Sequence, residues 1–165
     1  MDAVVVVPDR EVEEQPVTDL VVGEITILQR IIRSLKVAGV GKIHFVGSSR
    51  EDVAIDGEDL QDIEIAWYPC DGEQTRMQLI VENRDTFSKP AWIVEGDRIV
   101  YPTVFNQLTG GEDSVSGSSS KGLRDAKGDL VAVKVGERFF DIAEKRVDEG
   151  HQPDVGEVAR ELGAV

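Results

Sequence analysis

LVVGEITILQRIIRSLKVAGVGKIHFV, residues 20–46, contains the clearest structural signal in the chain. Its apolar residues recur at the i, i+3, i+4 and i+7 positions of a helix that packs one face against a sheet. Thr26 can accept a hydrogen bond at the helix start, and Gly39 supplies the left-handed residue that ends it. Residues 42–46 then predict a strand that follows the helix directly. The apolar face consists of Ile27, Leu28, Ile31, Ile32, Leu35 and Ala38.

The other apolar runs predict an α/β fold in which strands and helices alternate along the chain. Short runs rich in Val and Ile, bounded by Gly or Pro, are typical of buried parallel strands. We therefore expect a mostly parallel, mixed central sheet with helices on both faces. The predicted strands are 3–7, 42–46, 63–68, 91–94 and 130–135, and the predicted helices are 27–38, 75–84, 137–149 and 153–162.

The length of the chain indicates one domain. A chain of 165 residues is long enough to bury a core of its own. Residues 110–122, GGEDSVSGSSSKG, contain too little apolar surface to order themselves, which predicts a flexible surface loop. We therefore expect residues 1–165 to form a single domain with this loop inside it.

The composition of the chain disfavours a nucleic-acid partner, an internal disulfide and a membrane span. The net charge of −14 disfavours nucleic acid, because binding a polyanion requires a basic face. Cys70 is the one cysteine, so an internal disulfide cannot form. No window approaches the roughly 20 apolar residues of a membrane helix, and the first residues lack the basic stretch of a signal peptide. We therefore expect a cytoplasmic protein with no membrane span in this chain.

Three segments follow one another in an order that carries a family resemblance: VGEITIL at residues 22–28, KVAGV at 36–40 and WIVEGDRIVYP at 92–102. They resemble the helix start, the helix end and the strand with its following Gly-Asp in the nucleotidyltransferase-like family. The resemblance implies a Rossmann-like architecture. It also implies transfer of a nucleotidyl group of the CMP type from a nucleoside triphosphate to a sugar or polyol phosphate, with release of pyrophosphate.

The same resemblance implies a site. Asp97, at the end of the last of these strands, would hold a magnesium ion, because a divalent ion that bridges phosphates needs hard carboxylate ligands. Pro8, Asp9 and Arg10 of the loop after the first strand, together with Gly96, would lie against the nucleotide. The acceptor would be a phosphate monoester, and no side chain is identified as catalytic.

Departures from the family pattern leave the activity open. The loop at residues 8–16 contains no glycine and four acidic residues, whereas an active enzyme brings backbone amides against the triphosphate. Glu24 stands where the family has a lysine, and the family's second acidic metal ligand has no counterpart. The chain is therefore predicted to be either a nucleotidyltransferase or a binding or regulatory module without turnover. An α/β domain of unrelated function is the third alternative.

Other candidate chemistry is weaker. His44 lies within a predicted strand and is expected to be a packed histidine, since geometry and not residue type makes a catalytic one. The serines of residues 114–120 lie in the predicted loop without a histidine partner in the pattern, which argues against a serine nucleophile.

The segment at residues 96–108 is most similar to the divergent nucleotidyltransferase-like domains at the amino end of bacterial CDP-alcohol phosphatidyltransferases. That similarity implies a role in phospholipid biosynthesis and an integral membrane phosphatidyltransferase that is fused to, or associated with, this domain. We therefore expect the chain to be one module of a longer protein.

Overall fold

The chain forms a six-stranded sheet in a computed structural model that describes residues 1–9, 11–12, 14–48, 55, 57–103, 105, 122–124, 127 and 129–163. The strands are β1 (Asp2–Val6), β2 (Lys42–Val46), β3 (Glu64–Tyr68), β4 (Ala91–Glu95), β5 (Gly122–Arg124) and β6 (Leu130–Val135). They lie in the order β3-β2-β1-β4-β6-β5, with β1 to β4 parallel and β6 antiparallel to both of its neighbours. The predicted mixed, mostly parallel sheet is confirmed.

Strand β5 was not predicted. Gly122 begins this strand, although the sequence assigned it to the end of a flexible loop. The rest of that predicted loop, residues 110–121, lies outside the described residues.

Within the described part of the chain, α-helices cover both faces of the sheet. Alternate residues of β1 point to opposite faces, so that Ala3 and Val5 join one apolar cluster and Val4 and Val6 join the other. Helix α1 packs in the first cluster, and α2, α3 and α4 pack in the second. Burial on both faces explains why residues 3–6 of β1 form an unbroken apolar run. The helices are α1 (Ile27–Val37), α2 (Arg76–Glu82), α3 (Glu137–Asp148) and α4 (Val155–Glu161).

Helix α1 begins at the predicted residue and ends one residue before the predicted end, with Ala38 as its C-cap. Thr26 Oγ1 accepts a hydrogen bond from the Gln29 amide at 3.1 Å, and Gln29 Oε1 accepts one from the Thr26 amide at 2.9 Å. Such a cap is typically worth about 1 kcal/mol. Gly39 follows the helix with φ of +80°, a conformation that glycine adopts without the steric cost of a side chain.

The other helix boundaries shift by one or two residues from the predicted ones. Thr75 is the N-cap of α2, and Asp154, not Pro153, is the residue immediately before α4. Asp154 Oδ1 accepts a hydrogen bond from the Glu157 amide at 2.7 Å, which ties the side chain to the helix start. Within the part of the chain that the structure describes, none of the helices has the length and apolar composition needed to cross a bilayer.

His44 lies at the centre of a buried polar cluster, which confirms that it is a packed residue. Its Nε2 lies 3.0 Å from Asp2 Oδ2, its Nδ1 lies 3.2 Å from the Tyr68 hydroxyl, and its side chain is fully buried. The Ser88 amide donates a second hydrogen bond to Asp2 Oδ2 at 3.0 Å. Burial lowers the pKa of His44, and the adjacent Asp2 carboxylate only partly opposes this effect. The folded protein therefore favours neutral His44.

We expect acid to destabilise the wild type more than a His44→Gln variant between pH 7 and pH 5. In the unfolded chain, a histidine with a pKa near 6.5 takes up a proton in this range, whereas folded His44 has a lower pKa. Proton uptake by this histidine in the unfolded chain therefore lowers the free energy of unfolding as the pH falls. The variant lacks this contribution. Urea denaturation at pH 7, 6 and 5 measures the difference between the two proteins.

His151→Gln is the matched control for this comparison. The His151 side chain is 57% exposed, so its replacement removes a histidine without disturbing the buried cluster around His44. Equal pH dependence in the wild type and in His44→Gln would contradict the assignment of a neutral, buried His44.

Candidate functional site

The carboxyl ends of β1 and β4 bring most of the predicted site residues together. The two strands are adjacent and parallel, with Val6 opposite Glu95, so the residues that follow each strand meet at one edge of the sheet. Pro8 and Asp9 follow β1 there, and Gly96 and Asp97 follow β4. Arg10, which was predicted to contact the nucleotide, lies outside the described residues.

Gly96 is required by the packing of this edge. Its amide donates a hydrogen bond to the Val6 carbonyl at 2.8 Å, so the ends of β1 and β4 lie in close contact. A Cβ on Gly96 would lie 2.7 Å from that carbonyl oxygen and 3.3 Å from Pro8 Cδ. Because Gly96 has no side chain, the ends of β1 and β4 can approach each other. This packing requirement is independent of any contact between Gly96 and a ligand.

Asp97 is mostly buried and lies beside a cation. Its side chain is 14% exposed, and its Oδ1 lies 3.4 Å from Arg98 Nε. Among the described residues, no three His, Cys, Asp or Glu side chains converge into a group that could hold a metal ion. Magnesium does not need such a group, since it often binds through one or two carboxylates together with substrate phosphates. Magnesium at Asp97 therefore stays a prediction that depends on a phosphate-bearing ligand.

A cavity of about 300 Å³ opens next to this edge, on the face of the sheet that α2 and α4 cover. Pro8 and Asp9 line it, as do three polar residues that the sequence did not single out: Arg76, Glu95 and Asp154. The remaining wall is mainly apolar. It consists of Val6, Thr75, Met77, Ile80, Pro153 and Val155. We call this space the edge cavity.

Arg76 crosses from α2 to the loop after β1. Its Nε donates a hydrogen bond to the Val7 carbonyl, and its Nη2 lies 2.6 Å from Asp9 Oδ1. Gly47 makes room for this crossing, because a Cβ there would lie 2.6 Å from Arg76 Nε. The Arg76 guanidinium is therefore held by the Val7 carbonyl at Nε and by the Asp9 carboxylate at Nη2, although this buried Nη2 makes no hydrogen bond of normal geometry with the described residues.

Glu95 is the carboxyl group of the edge cavity whose ionisation is most strongly perturbed. Its pKa is raised to about 7, mainly by burial and also by the charges of Asp97 and Asp154, which Arg98 and Arg76 oppose. Near neutral pH, Glu95 therefore exists as a mixture of the neutral and the charged form. A group of this kind in a cleft is a candidate for function.

Sequence reasoning missed Arg76, Glu95 and Asp154 for different reasons. Arg76 and Asp154 belong to the starts of two short helices, and only the fold brings them to the carboxyl end of β1. Glu95 could have been found from its sequence position, since an acidic residue that ends a buried strand stands next to the predicted ligand Asp97.

Comparisons with known proteins support the fold. The chain is similar to the crystal structure of 2-C-methyl-D-erythritol 4-phosphate cytidylyltransferase from Thermus thermophilus, with 13% identity and a TM-score of 0.64 over 99% of this chain and 85% of that one. It is also similar to 4-diphosphocytidyl-2C-methyl-D-erythritol synthase from Anaerococcus prevotii, with 12% identity and a TM-score of 0.63 over 99% of this chain and 82% of that one. No protein-family model and no curated protein sequence matches it. The chain therefore has the nucleotidyltransferase-type α/β fold.

We expect Gly96→Ala to lower the free energy of unfolding by about 1–3 kcal/mol, the usual cost of forcing an extra methyl group into a packed site. The new Cβ would meet the Val6 carbonyl, which is backbone and cannot rotate away. Gly41→Ala is the control, because no atom lies within 4 Å of a Cβ at that position. Urea denaturation measures both changes, and an equal effect of the two substitutions would contradict the close approach of β1 and β4.

We expect Glu95→Gln to stabilise the protein at pH 8 by up to about 3 kcal/mol, with most of this gain lost at pH 5. The pKa of Glu95 is raised from 4.5 to about 7, so the stability that the neutral carboxyl contributes at low pH is lost as the pH rises through 7. Chemical denaturation at pH 5 and pH 8 measures the difference. Asp148→Asn, which removes one carboxyl group from an exposed position of α3, is the control. An equal effect of Glu95→Gln at pH 5 and pH 8 would contradict the raised pKa of Glu95.

Proposed function

We propose that this domain is a binding or regulatory module that retains the nucleotidyltransferase fold and holds a metabolite in the edge cavity without nucleotidyl transfer. The observation that supports this proposal most directly is the charge of the cavity. Among its described lining residues, Asp9, Glu95 and Asp154 are acidic and Arg76 alone is basic. A triphosphate brings several negative charges, and an acidic wall repels them.

The loop after β1 supports the same conclusion. Efficient phosphoryl and nucleotidyl transfer depends on donors and cations that stabilise charge in the transition state. Residues 8–16 contain no glycine that would let backbone amides approach a phosphate, and they contain four acidic residues. Arg76 already donates to the Val7 carbonyl and contacts Asp9. The described part of this loop therefore offers little to hold a triphosphate.

Nucleotidyl transfer is the second candidate, and two observations favour it. The two similar structures are a cytidylyltransferase and a diphosphocytidyl-methylerythritol synthase, and the likeness extends over 99% of the chain. Asp97 also lies two residues after the end of β4, at the edge where ligands of open α/β sheets bind. In this candidate function, Asp97 would hold magnesium together with a nucleoside triphosphate, and a phosphate monoester would attack the α-phosphorus while pyrophosphate leaves. Bound magnesium would neutralise part of the negative charge of the phosphates.

The partner implied by the sequence resemblance is part of the proposal. A domain that binds a metabolite without turnover could regulate an integral membrane phosphatidyltransferase of phospholipid biosynthesis to which it is attached. This idea rests on the resemblance of residues 96–108, and its test is co-purification of the domain with such an enzyme from its source membranes.

We expect no pyrophosphate release when the domain is incubated with CTP, UTP, GTP or ATP, magnesium, and inositol phosphate or a hexose phosphate. The acidic edge cavity and the loop without glycine lack the groups that would stabilise the charge of the reaction. A coupled pyrophosphate assay measures the outcome, with an active cytidylyltransferase of the same fold as the positive control.

Pyrophosphate release that Asp97→Asn abolishes would overturn the proposal in favour of the second candidate. Thermal shift with the same nucleotides, with and without magnesium, separates binding from turnover, since a ligand that binds the folded state raises the melting temperature. Stabilisation by a nucleotide without pyrophosphate release would support a binding module.

A further inference from the structure

We propose that Asp2, His44, Tyr68 and Thr86 form a hydrogen-bond switch, operated by one proton, between the sheet and the segment that follows α2. While His44 is neutral, the Tyr68 hydroxyl donates to His44. Once His44 is protonated, the same hydroxyl donates to Thr86. We call these four residues the His44 network. None of them lines the edge cavity, so this inference goes beyond the proposed function and does not depend on it.

Asp2 determines which nitrogen of neutral His44 carries the hydrogen. Burial raises the pKa of Asp2, but hydrogen bonds from Ser88 and His44 lower it by more, so Asp2 is a carboxylate near neutral pH. A carboxylate only accepts hydrogen bonds, and His44 Nε2 lies 3.0 Å from Asp2 Oδ2. This nitrogen therefore carries the hydrogen. Because a neutral imidazole has one N–H, Nδ1 of His44 is left as an acceptor.

The acceptor at Nδ1 determines the direction of the Tyr68 hydroxyl. The two atoms lie 3.2 Å apart, and Tyr68 must donate because Nδ1 has no hydrogen. Thr86 Oγ1 donates its own hydrogen to the Asn83 carbonyl at 2.7 Å, since a carbonyl oxygen only accepts. While His44 is neutral, the hydroxyl oxygens of Tyr68 and Thr86 therefore lie 3.3 Å apart with no hydrogen between them.

A proton on His44 Nδ1 would supply the hydrogen that this contact lacks. Protonated His44 donates from both nitrogens, to Asp2 and to the Tyr68 oxygen, and the Tyr68 hydroxyl can then donate to Thr86. The Asp2 carboxylate balances the positive charge of the ring. Hydrogen bonds would then run without a gap from His44 through Tyr68 and Thr86 to the Asn83 carbonyl. Acid would therefore tie residues 83–88 more firmly to the edge strand β3.

The groups around His44 set the pH at which the switch operates. Burial lowers the pKa of His44, and the Asp2 carboxylate opposes this effect. Lys42 on β2 lowers the pKa further and Glu64 on β3 raises it, which leaves a net lowering from 6.5. Phe87 covers the ring edge to face, with the ring centroids 4.7 Å apart, and brings no charge. Protonation of the network therefore occurs below the pH at which an exposed histidine titrates.

Nitrogen NMR on the intact wild-type protein tests the assignment of the hydrogens. At pH 7 we expect His44 to show a hydrogen on Nε2 and none on Nδ1. As the pH falls, Nδ1 should gain a hydrogen while the protein stays folded. His151, whose ring is exposed, is the internal reference. A hydrogen on Nδ1 of neutral His44, or a ring that stays neutral until the protein unfolds, would overturn the inference.

A double-mutant cycle measures the hydrogen bond that protonation creates. Urea denaturation compares the wild type with Tyr68→Phe, Thr86→Val and the double variant. We expect additive effects at pH 7, where no hydrogen lies between the two hydroxyl groups. At a pH where NMR shows protonated His44, we expect a coupling of about fivefold in the equilibrium constant of unfolding, which corresponds to one ordinary hydrogen bond.

The same cycle in a His44→Gln background is the matched control. Glutamine does not titrate in this range, so any coupling between the two hydroxyl groups should be the same at both pH values. A coupling of equal size at both pH values in the protein that contains His44 would overturn the inference. The NMR measurement requires no variant, so it decides the question even if one of the variants fails to fold.

Discussion

The contact between the carboxyl ends of β1 and β4 is the constraint on which the candidate site depends. The Gly96 amide lies 2.8 Å from the Val6 carbonyl, and this distance leaves no room for a side chain at residue 96. Because the two strands meet there, Glu95 and the segment after β1, with Pro8 and Asp9, become walls of one cavity. Arg76 reaches the same segment from α2 and holds it by contacts with the Val7 carbonyl and Asp9.

The backbone fold and the side chains that line the edge cavity give different information about function. The backbone follows that of two cytidylyltransferase structures at 12–13% identity, yet the cavity beside the strand ends is lined by three acidic groups and one engaged arginine. One fold can support unrelated functions when the groups at its ligand-binding edge change. The charge of the edge cavity is therefore a better guide to the ligand than the architecture that carries it.

Most of the fold could be predicted from the sequence, whereas only part of the site could. The apolar spacing of α1, its Thr26 cap and the buried run of β1 are local patterns, and each formed as expected. Strand β5 has three residues and lies beside a stretch rich in Gly and Ser, so no local pattern marks it. The residues of the edge cavity come from four separate elements, and local patterns contain no information about which side chains will face one another. Asp97 was placed correctly at a strand end, but Glu95 needed the burial that only tertiary structure provides.

The position of α4 links the cavity to the folding of the chain. Its start, Asp154 and Val155, closes a space whose opposite wall is formed by Val6 and Pro8, which are far away in sequence. Contacts between such distant segments form slowly, because the entropy of closing a long loop is lost before the contact stabilises the chain. The edge cavity therefore exists only after this long-range docking is complete. A ligand held there would slow the detachment of α4, and it would protect the C-terminal segment from local unfolding and proteolysis.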